Sequence, residues 1–273
     1  MKLNKIYNED CRETMKRMPD NFTDLTVTSP PYDNLRTYND NIDKTWNDVI
    51  WKPIIKELFR ITKNGGVVVW IVDDATINGS ETGTSFSQAL YFMKCGFNLH
   101  DTMIYQKKGF SFPDSIRYYS QFEYMFVLSK GKPKTFNPIC DVKNIHFKKK
   151  ISGSERNKDG SLRDSHGTIN KKKYKMFSQR SNVWQISSGY NLSSIDDLAF
   201  EHPAIFPEQL VSDHIYSWSN EGDLIYDPFM GSGTTAKMAH LQKRNWIGSE
   251  ISKEYVDLAY KRIEPYLMQK RLF

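Results

Sequence analysis

Ser29-Pro30-Pro31-Tyr32 sets a hydroxyl, two prolines and an aromatic ring in four successive positions. Proline has no amide hydrogen, so the centre of this turn offers acceptors and no donors. Acceptors beside a stacking ring suit a planar substrate that carries an NH2 group. A proline pair can also be a loop breaker or a polyproline ligand, but this one directly follows Asp24-Leu25-Thr26-Val27-Thr28. That run is short, β-branched and bounded by turn residues, which predicts a buried strand. A rigid turn at its end would aim Ser29 and Tyr32 into a cleft. The second chemistry-bearing stretch is Asp227-Pro228-Phe229-Met230-Gly231-Ser232-Gly233-Thr234-Thr235, a glycine-rich turn between a predicted strand and a predicted helix. Such a turn allows a ligand to approach the backbone closely at the carboxyl edge of a sheet. It is neither a G-x-G-x-x-G fingerprint nor a phosphate loop ending in G-K-[ST]. Glu250 closes the next predicted strand, where dinucleotide-binding folds place an acceptor for ribose hydroxyls. With no Lys or Arg in the turn, the pair favours an adenosine-containing cofactor without phosphates.

The elements that must hold these residues alternate strand and helix. Val49, Ile50, Ile54, Leu58 and Phe59 recur at helical spacing, with Pro53 expected in the first turn or at a kink and Gly65-Gly66 as the stop. Gly66 to Val72 is an almost wholly apolar strand of the kind covered on both faces of a parallel sheet. Helix is predicted over Ser85 to Cys95, strands over Phe97 to Lys107 and Phe122 to Ser129, and a helix ending near Trp218. Strands at Asp223 to Tyr226 and Asn245 to Ser249 and a helix capped by Ser252 complete the pattern. The predicted fold is α/β, a doubly wound, mostly parallel sheet of the Rossmann-like kind, interrupted by an inserted recognition region. Its parts are 1–134 (catalytic half), 135–195 (recognition region) and 196–273 (cofactor-binding half).

The chain has 273 residues and a formal charge of +6. Between Asp141 and Arg180 there are 12 Lys/Arg against 4 Asp/Glu, leaving 26 basic and 28 acidic residues elsewhere, so the positive charge is concentrated in one segment. It contains Lys148-Lys149-Lys150 and Lys171-Lys172-Lys173. Such a segment is either a solvated loop or a face for a phosphate backbone. The longest apolar run, Val67 to Val72, is far short of the roughly 20 residues that span a bilayer. No apolar leader core follows Met1, so the expected location is cytoplasmic, with no membrane. Cys11, Cys95 and Cys140 form no C-x-x-C pair, and neither disulfides nor a metal site is expected.

The two motifs together resemble those of the β-group amino DNA methyltransferases, which move a methyl from S-adenosylmethionine to an exocyclic nitrogen of a base. The catalytic motif of that family, an Asp, Asn or Ser followed by Pro-Pro and an aromatic residue, matches Ser29-Pro30-Pro31-Tyr32. Its D-P-F-x-G-S-G-T-T motif matches Asp227 to Thr235 at every fixed position. The catalytic motif precedes the recognition region and the cofactor motif follows it, the order of the β group. His202-Pro203-Ala204 with Phe206-Pro207-Glu208, Lys63-Asn64-Gly65-Gly66, and Glu123-Tyr124 with Phe126 before Ser129-Lys130-Gly131 extend the likeness.

The resemblance implies that Ser29, Pro30, Pro31 and Tyr32 are catalytic. The first two would accept hydrogen bonds from the amino group, and the ring would stack on a base flipped out of the duplex. It implies that Asp227, Phe229, Gly231, Gly233, Thr234, Thr235 and Glu250 bind S-adenosylmethionine. Asp10 either joins them or caps the helix that follows it. Serine in the first motif position goes with cytosine N4, aspartate with adenine N6. A cytosine-N4 enzyme acting on double-stranded DNA in a restriction-modification system is therefore expected, with an adenine-N6 enzyme or a non-catalytic DNA-binding subunit as alternatives. Within this family the basic segment becomes a DNA face: Lys148, Lys149, Lys150, Lys171, Lys172 and Lys173 for phosphates, and Arg163, Arg180, Asn170 or Gln179 for bases. Asp33, Arg36 and Tyr38 either touch DNA or face solvent. A cognate endonuclease and a homodimer are further partners the family suggests. Cytosine-C5 chemistry is set aside, because no cysteine follows a proline; the thiols are expected to be buried and inert.

Overall fold

The computed structural model describes residues 1–31, 46–108, 115–187, 189, 192–194, 196–202 and 205–268. Tyr32, Asp33, Arg36 and Tyr38 lie outside the described residues. Two compact units emerge, one formed by Met1–Asn137 with Asn182–Phe273 and the other by Pro138–Ser181.

The first unit is built on an eight-stranded sheet. Its strands are β1 (Lys5–Asn8), β2 (Thr23–Thr28), β3 (Thr62–Val72), β4 (Asn98–Lys108), β5 (Phe122–Ser129), β6 (Val183–Ser187), β7 (Leu224–Asp227) and β8 (Asn245–Glu250). The spatial order is β1-β8-β7-β2-β3-β5-β4-β6. β5 runs antiparallel to both of its neighbours and the other pairings are parallel. The helices are α1 (Cys11–Lys16), α2 (Asp48–Ile61), α3 (Thr84–Lys94), α4 (Glu208–Trp218), α5 (Thr234–Leu241) and α6 (Lys253–Met268).

Strand alternation sends side chains to opposite faces. Val68, Trp70, Val72, Phe126, Leu128 and Tyr226 pack with Met15, Trp51, Ile54, Ile55, Leu58 and Phe92 of α1 to α3 in one apolar cluster. The intervening Val67, Val69, Ile71 and Ile225 are equally buried. They face the other way, toward the side carrying α4 and α5. Burial on both sides explains why β3 reads as a continuous apolar run.

Three local expectations change. Pro53 lies in the second turn of α2, because Asn47 caps the helix earlier, its side chain accepting from the Val49 amide at 3.0 Å. The carbonyl that Pro53 leaves without an amide donor belongs to solvent-facing Val49, where water can meet it. Gly65-Gly66 do not stop α2, which ends at Ile61 and passes straight into β3. Instead Gly65, at φ +80°, sits where a Cβ would come within 2.9 Å of the Lys134 Cβ. The glycine therefore permits a close crossing with the turn that leaves β5. Finally, Val183–Ser187, inside the stretch whose composition suggested an insert, is a strand of the main sheet, paired with β4.

Candidate active site

Five parallel strands, β1, β8, β7, β2 and β3, end at one carboxyl edge, at Asn8, Glu250, Asp227, Thr28 and Val72. The two sequence motifs therefore emerge side by side from neighbouring strands, β2 and β7. A direct bond joins them: Thr28 Oγ1 donates to Asp227 Oδ1 at 2.6 Å in a fully buried setting. Asp227 also accepts from Thr235 Oγ1 at 2.6 Å and from the Phe229 amide at 3.0 Å. Burial pushes its carboxyl above the ordinary range, partly offset by the Thr235 and Thr28 hydroxyls and the Phe229 amide. Asp227 thus organises both turns from beneath.

The glycine turn is held from several sides. Gly231 (φ +49°) and Gly233 (φ +83°) adopt conformations that favour glycine. The Gly231 amide donates to Glu250 Oε2 at 2.8 Å, and the Ser252 amide to Glu250 Oε1 at 2.9 Å. Burial raises the Glu250 carboxyl, with those two amides opposing. A carboxylate has about four lone-pair sites, so acceptor capacity remains for ligand hydroxyls. The Met230 amide donates to the Ser249 carbonyl at 2.9 Å. Gly248, which belongs to neither motif, makes room for Met230: a Cβ there would lie 2.2 Å from Met230 Cε.

Phe229 is half-buried and stands edge-on to Trp46 and Trp70, at 5.5 and 6.1 Å between ring centroids. Trp70 is the register partner of Thr28, which brings the aromatic wall around Phe229 to the strand that leads into Ser29. Ser29 and Pro31 are half-buried and Pro30 is buried. Thr234 and Thr235 are buried in the first turn of α5. Asp10 caps α1, accepting from the Arg12 amide at 2.9 Å and pairing with its guanidinium at 2.6 Å.

A second polar group at this edge joins residues from three separate stretches of the sequence. Asp73, just beyond β3, lies 3.8 Å from Lys107 of β4, which pairs with Glu123 of β5 at 2.8 Å. Only the fold brings these three together. Burial pushes the Asp73 carboxyl up to about 6, against the opposing pull of Lys107. A carboxyl raised by folding contributes stability below its ordinary range near 4, and that contribution is lost as pH rises through about 6. Asp73→Asn is therefore expected to flatten the fall in unfolding free energy between pH 4 and 6, by an amount on the order of 1 kcal/mol after solvent screening. Urea titrations of both proteins across that range check it.

In the second unit, two lysine triplets far apart in sequence meet on one antiparallel ladder. Lys150 bridges Lys173, the Ile151 amide donates to the Lys172 carbonyl at 2.8 Å, and Tyr174 exchanges backbone bonds with Lys148 and Lys149. All six lysines are exposed. Like charges facing each other across a ladder repel, so this surface is poised for anions. Arg163 pairs with Glu155 at 3.3 Å, and Arg180 with Asp141 at 2.5 Å. Cys11 is buried and its thiol is raised by desolvation, but Cys95 is half-buried and Cys140 exposed, so the expectation of three buried thiols holds for Cys11 alone. Among the described residues no helix is long and apolar enough to cross a membrane, and no cluster of metal-ligating side chains occurs.

Comparison with known proteins gives this edge its context. The chain is 56% identical over 255 residues to the orphan methyltransferase M.BamHII of Bacillus amyloliquefaciens, covering 91% of this chain and 92% of that protein. It is 28% identical to the type II methyltransferase M.BglII of Bacillus subtilis, over 95% of this chain and 68% of the relative. The fold matches PvuII DNA methyltransferase (cytosine-N4-specific) with a TM-score of 0.68 at 20% identity, covering 98% of this chain and 87% of that one. A Thermus thermophilus protein solved in complex with S-adenosyl-L-methionine matches with a TM-score of 0.62 at 20% identity, over 97% and 96% of the two chains. The family model described as DNA methylase matches residues 23–261, and the chain belongs to that family.

Proposed function

We propose that the chain transfers a methyl group from S-adenosylmethionine to the exocyclic N4 of cytosine in double-stranded DNA, as the modification activity of a restriction-modification system. The observation that carries this reading is the Thr28–Asp227 hydrogen bond, which sets the Ser29 turn and the Phe229 turn side by side on one sheet edge. The residues of the turn suit the cofactor: an aromatic wall at Phe229, a half-buried carboxylate at Glu250, and no Lys or Arg between Asp227 and Thr235 to meet a phosphate. When bound, S-adenosylmethionine supplies an electrophilic methyl on a sulfonium.

The chain's own residues do the rest. A base amino group is a weak nucleophile because its lone pair is delocalised into the ring. Ser29 Oγ and the Pro30 carbonyl accept its hydrogens, turning the nitrogen toward tetrahedral geometry and directing its lone pair to the methyl carbon. The amino nitrogen would gain the methyl that the bound donor supplies and lose one proton to solvent. Preorganised acceptors and positioning supply the acceleration. Tyr32 stacks on the extruded base. Glu250, Phe229, Gly231, Gly233, Thr234 and Thr235 hold the donor, while Asp227 and Asp10 shape the turns around it.

The nucleobase assignment rests on Ser29 at the first motif position and on the cytosine-N4 specificity of the structurally similar PvuII enzyme. Digesting methyl-labelled product DNA to nucleosides tests it: label in N4-methyldeoxycytidine supports cytosine, label in N6-methyldeoxyadenosine moves the assignment to adenine. The lysine ladder is proposed to meet DNA phosphates. Replacing Lys148, Lys149 and Lys150 with alanine is expected to lower the slope of log affinity against log salt by about 0.9 for each phosphate no longer neutralised, leaving cofactor affinity unchanged. Fluorescence anisotropy on duplex DNA between low and moderate salt reads that slope, and an unaltered value would place the DNA-binding face elsewhere.

A further inference from the structure

Behind the glycine turn lies a group of charges that the reaction itself does not use. Arg262 of α6 has no exposed side-chain surface. Its Nη1 donates to the Ser232 carbonyl at 2.6 Å, to Ser232 Oγ at 2.9 Å and to Thr234 Oγ1 at 3.2 Å. The other side of the same guanidinium reaches Asp196 from Nε at 2.8 Å and Glu208 from Nη2 at 3.1 Å. Lys237 of α5, also buried, pairs with Glu208 at 2.8 Å and lies 3.8 Å from Asp196. Two cations and two carboxylates thus offset one another, the cations buried and the carboxylates half-buried. Ser194 Oγ adds a hydrogen bond to Glu208 at 2.7 Å, and the Leu198 amide one to Asp196 at 3.1 Å.

We infer that Arg262 is a positioning residue for the cofactor turn, holding the Ser232 carbonyl and the Ser232 and Thr234 hydroxyls through Nη1, with Asp196 and Glu208 as counter-charges that it shares with Lys237. Buried ion pairs often contribute little net stability compared with apolar side chains of similar size. What this group adds is geometry, a set of defined hydrogen bonds behind the turn. The turn has two left-handed glycines with wide conformational freedom; Glu250 holds its Gly231 amide, and Arg262 adds the bonds to Ser232 and Thr234. α6 presses directly against it, since a Cβ on Gly233 would fall 2.8 Å from the Ala259 Cβ and 3.1 Å from Ile263 Cδ1. Arg262, between those two positions on the helix, converts that close approach into defined hydrogen bonds to the turn. A guanidinium can bind the turn and both carboxylates at once because its donors point in fixed, diverging directions.

This inference rests on the reading of the turn as the S-adenosylmethionine site. Its test compares wild type with Arg262→Lys and Arg262→Gln. Lysine keeps a buried cation for Asp196 and Glu208 but gives up the Nη1 bonds to Ser232 and Thr234, so Arg262→Lys is expected to fold. In it the cofactor KM and the calorimetric Kd should rise about tenfold, the worth of a charged hydrogen bond or two. The value of kcat at saturating cofactor and the Kd for duplex DNA should stay within about twofold, a split that general loss of structure would not produce. Arg262→Gln is expected to shift cofactor KM further and to lower the melting temperature. A folded Arg262→Lys variant with wild-type cofactor KM, or one in which DNA and cofactor affinities fall together, would overturn the positioning role. A wild-type protein that neither binds S-adenosylmethionine nor transfers its methyl would instead overturn the functional reading beneath it.

Discussion

Ser29→Ala is expected to lower kcat by about 10²–10³-fold, the loss seen when one preorganised hydrogen-bond partner of a transition state is removed. The argument is one of timing. In the proposed mechanism Ser29 Oγ would accept from the base amino group as the nitrogen changes geometry, so its contribution would grow from ground state to transition state. Ser29 directly follows β2, whereas Gly231 and Glu250, which shape the cofactor turn, belong to the turn after β7 and to β8. The Kd for S-adenosylmethionine should therefore stay within about twofold of wild type. Single-turnover transfer of labelled methyl, with calorimetric titration of the cofactor, separates the two quantities. Equal losses in rate and cofactor affinity would show that the residue shapes the site and has no direct part in the chemistry.

Asp227→Ala should act on both turns together. It removes the acceptor for Thr28 Oγ1, Thr235 Oγ1 and the Phe229 amide. Leaving buried donors without partners costs about 1–3 kcal/mol each, so a destabilisation of roughly 3–5 kcal/mol is expected, near the upper end for a point change. Cofactor affinity and kcat should both collapse, because the hydrogen bond that joins the two strand ends is gone. Asp227→Asn keeps the size and one acceptor oxygen and should be milder. Since burial raises the native carboxyl, Asp227 contributes stability at low pH that is lost as pH climbs through its native value. Asn should remove that dependence. Urea unfolding at several pH values, alongside activity, reads both effects.

Legibility from sequence followed the range of the interactions. The Ser29 and Asp227 turns are contiguous motifs at the ends of apolar runs, so local chemistry and local pattern agreed on them. β3, β5 and β7 carry apolar runs whose burial is written into their composition. β6 was lost in its polar surroundings, because only Trp184 and Ile186 are buried and its pairing with β4 spans about 80 residues of chain. Arg262 and Lys237 belong to no motif, and only the packing of α4, α5 and α6 reveals that they are buried. The lysine triplets read as two separate runs until the ladder joined them. Glu123 and Lys107 come from two strands and Asp73 from the end of a third, with no shared motif. Gly65-Gly66 were misread because a glycine pair after a helix resembles a cap, whereas here it admits a neighbouring turn.

The most direct measurement is the separation between Ser29 Oγ and the transferable methyl carbon in a crystal structure of the chain with S-adenosylmethionine bound. A reacting nitrogen about 3–3.5 Å from the methyl, itself hydrogen-bonded to Ser29, requires that separation to be roughly 4–6 Å. A cofactor seated on the Phe229 turn at that distance is the result expected. A cofactor bound elsewhere, or a methyl more than about 10 Å from Ser29, would contradict a shared site for donor and base.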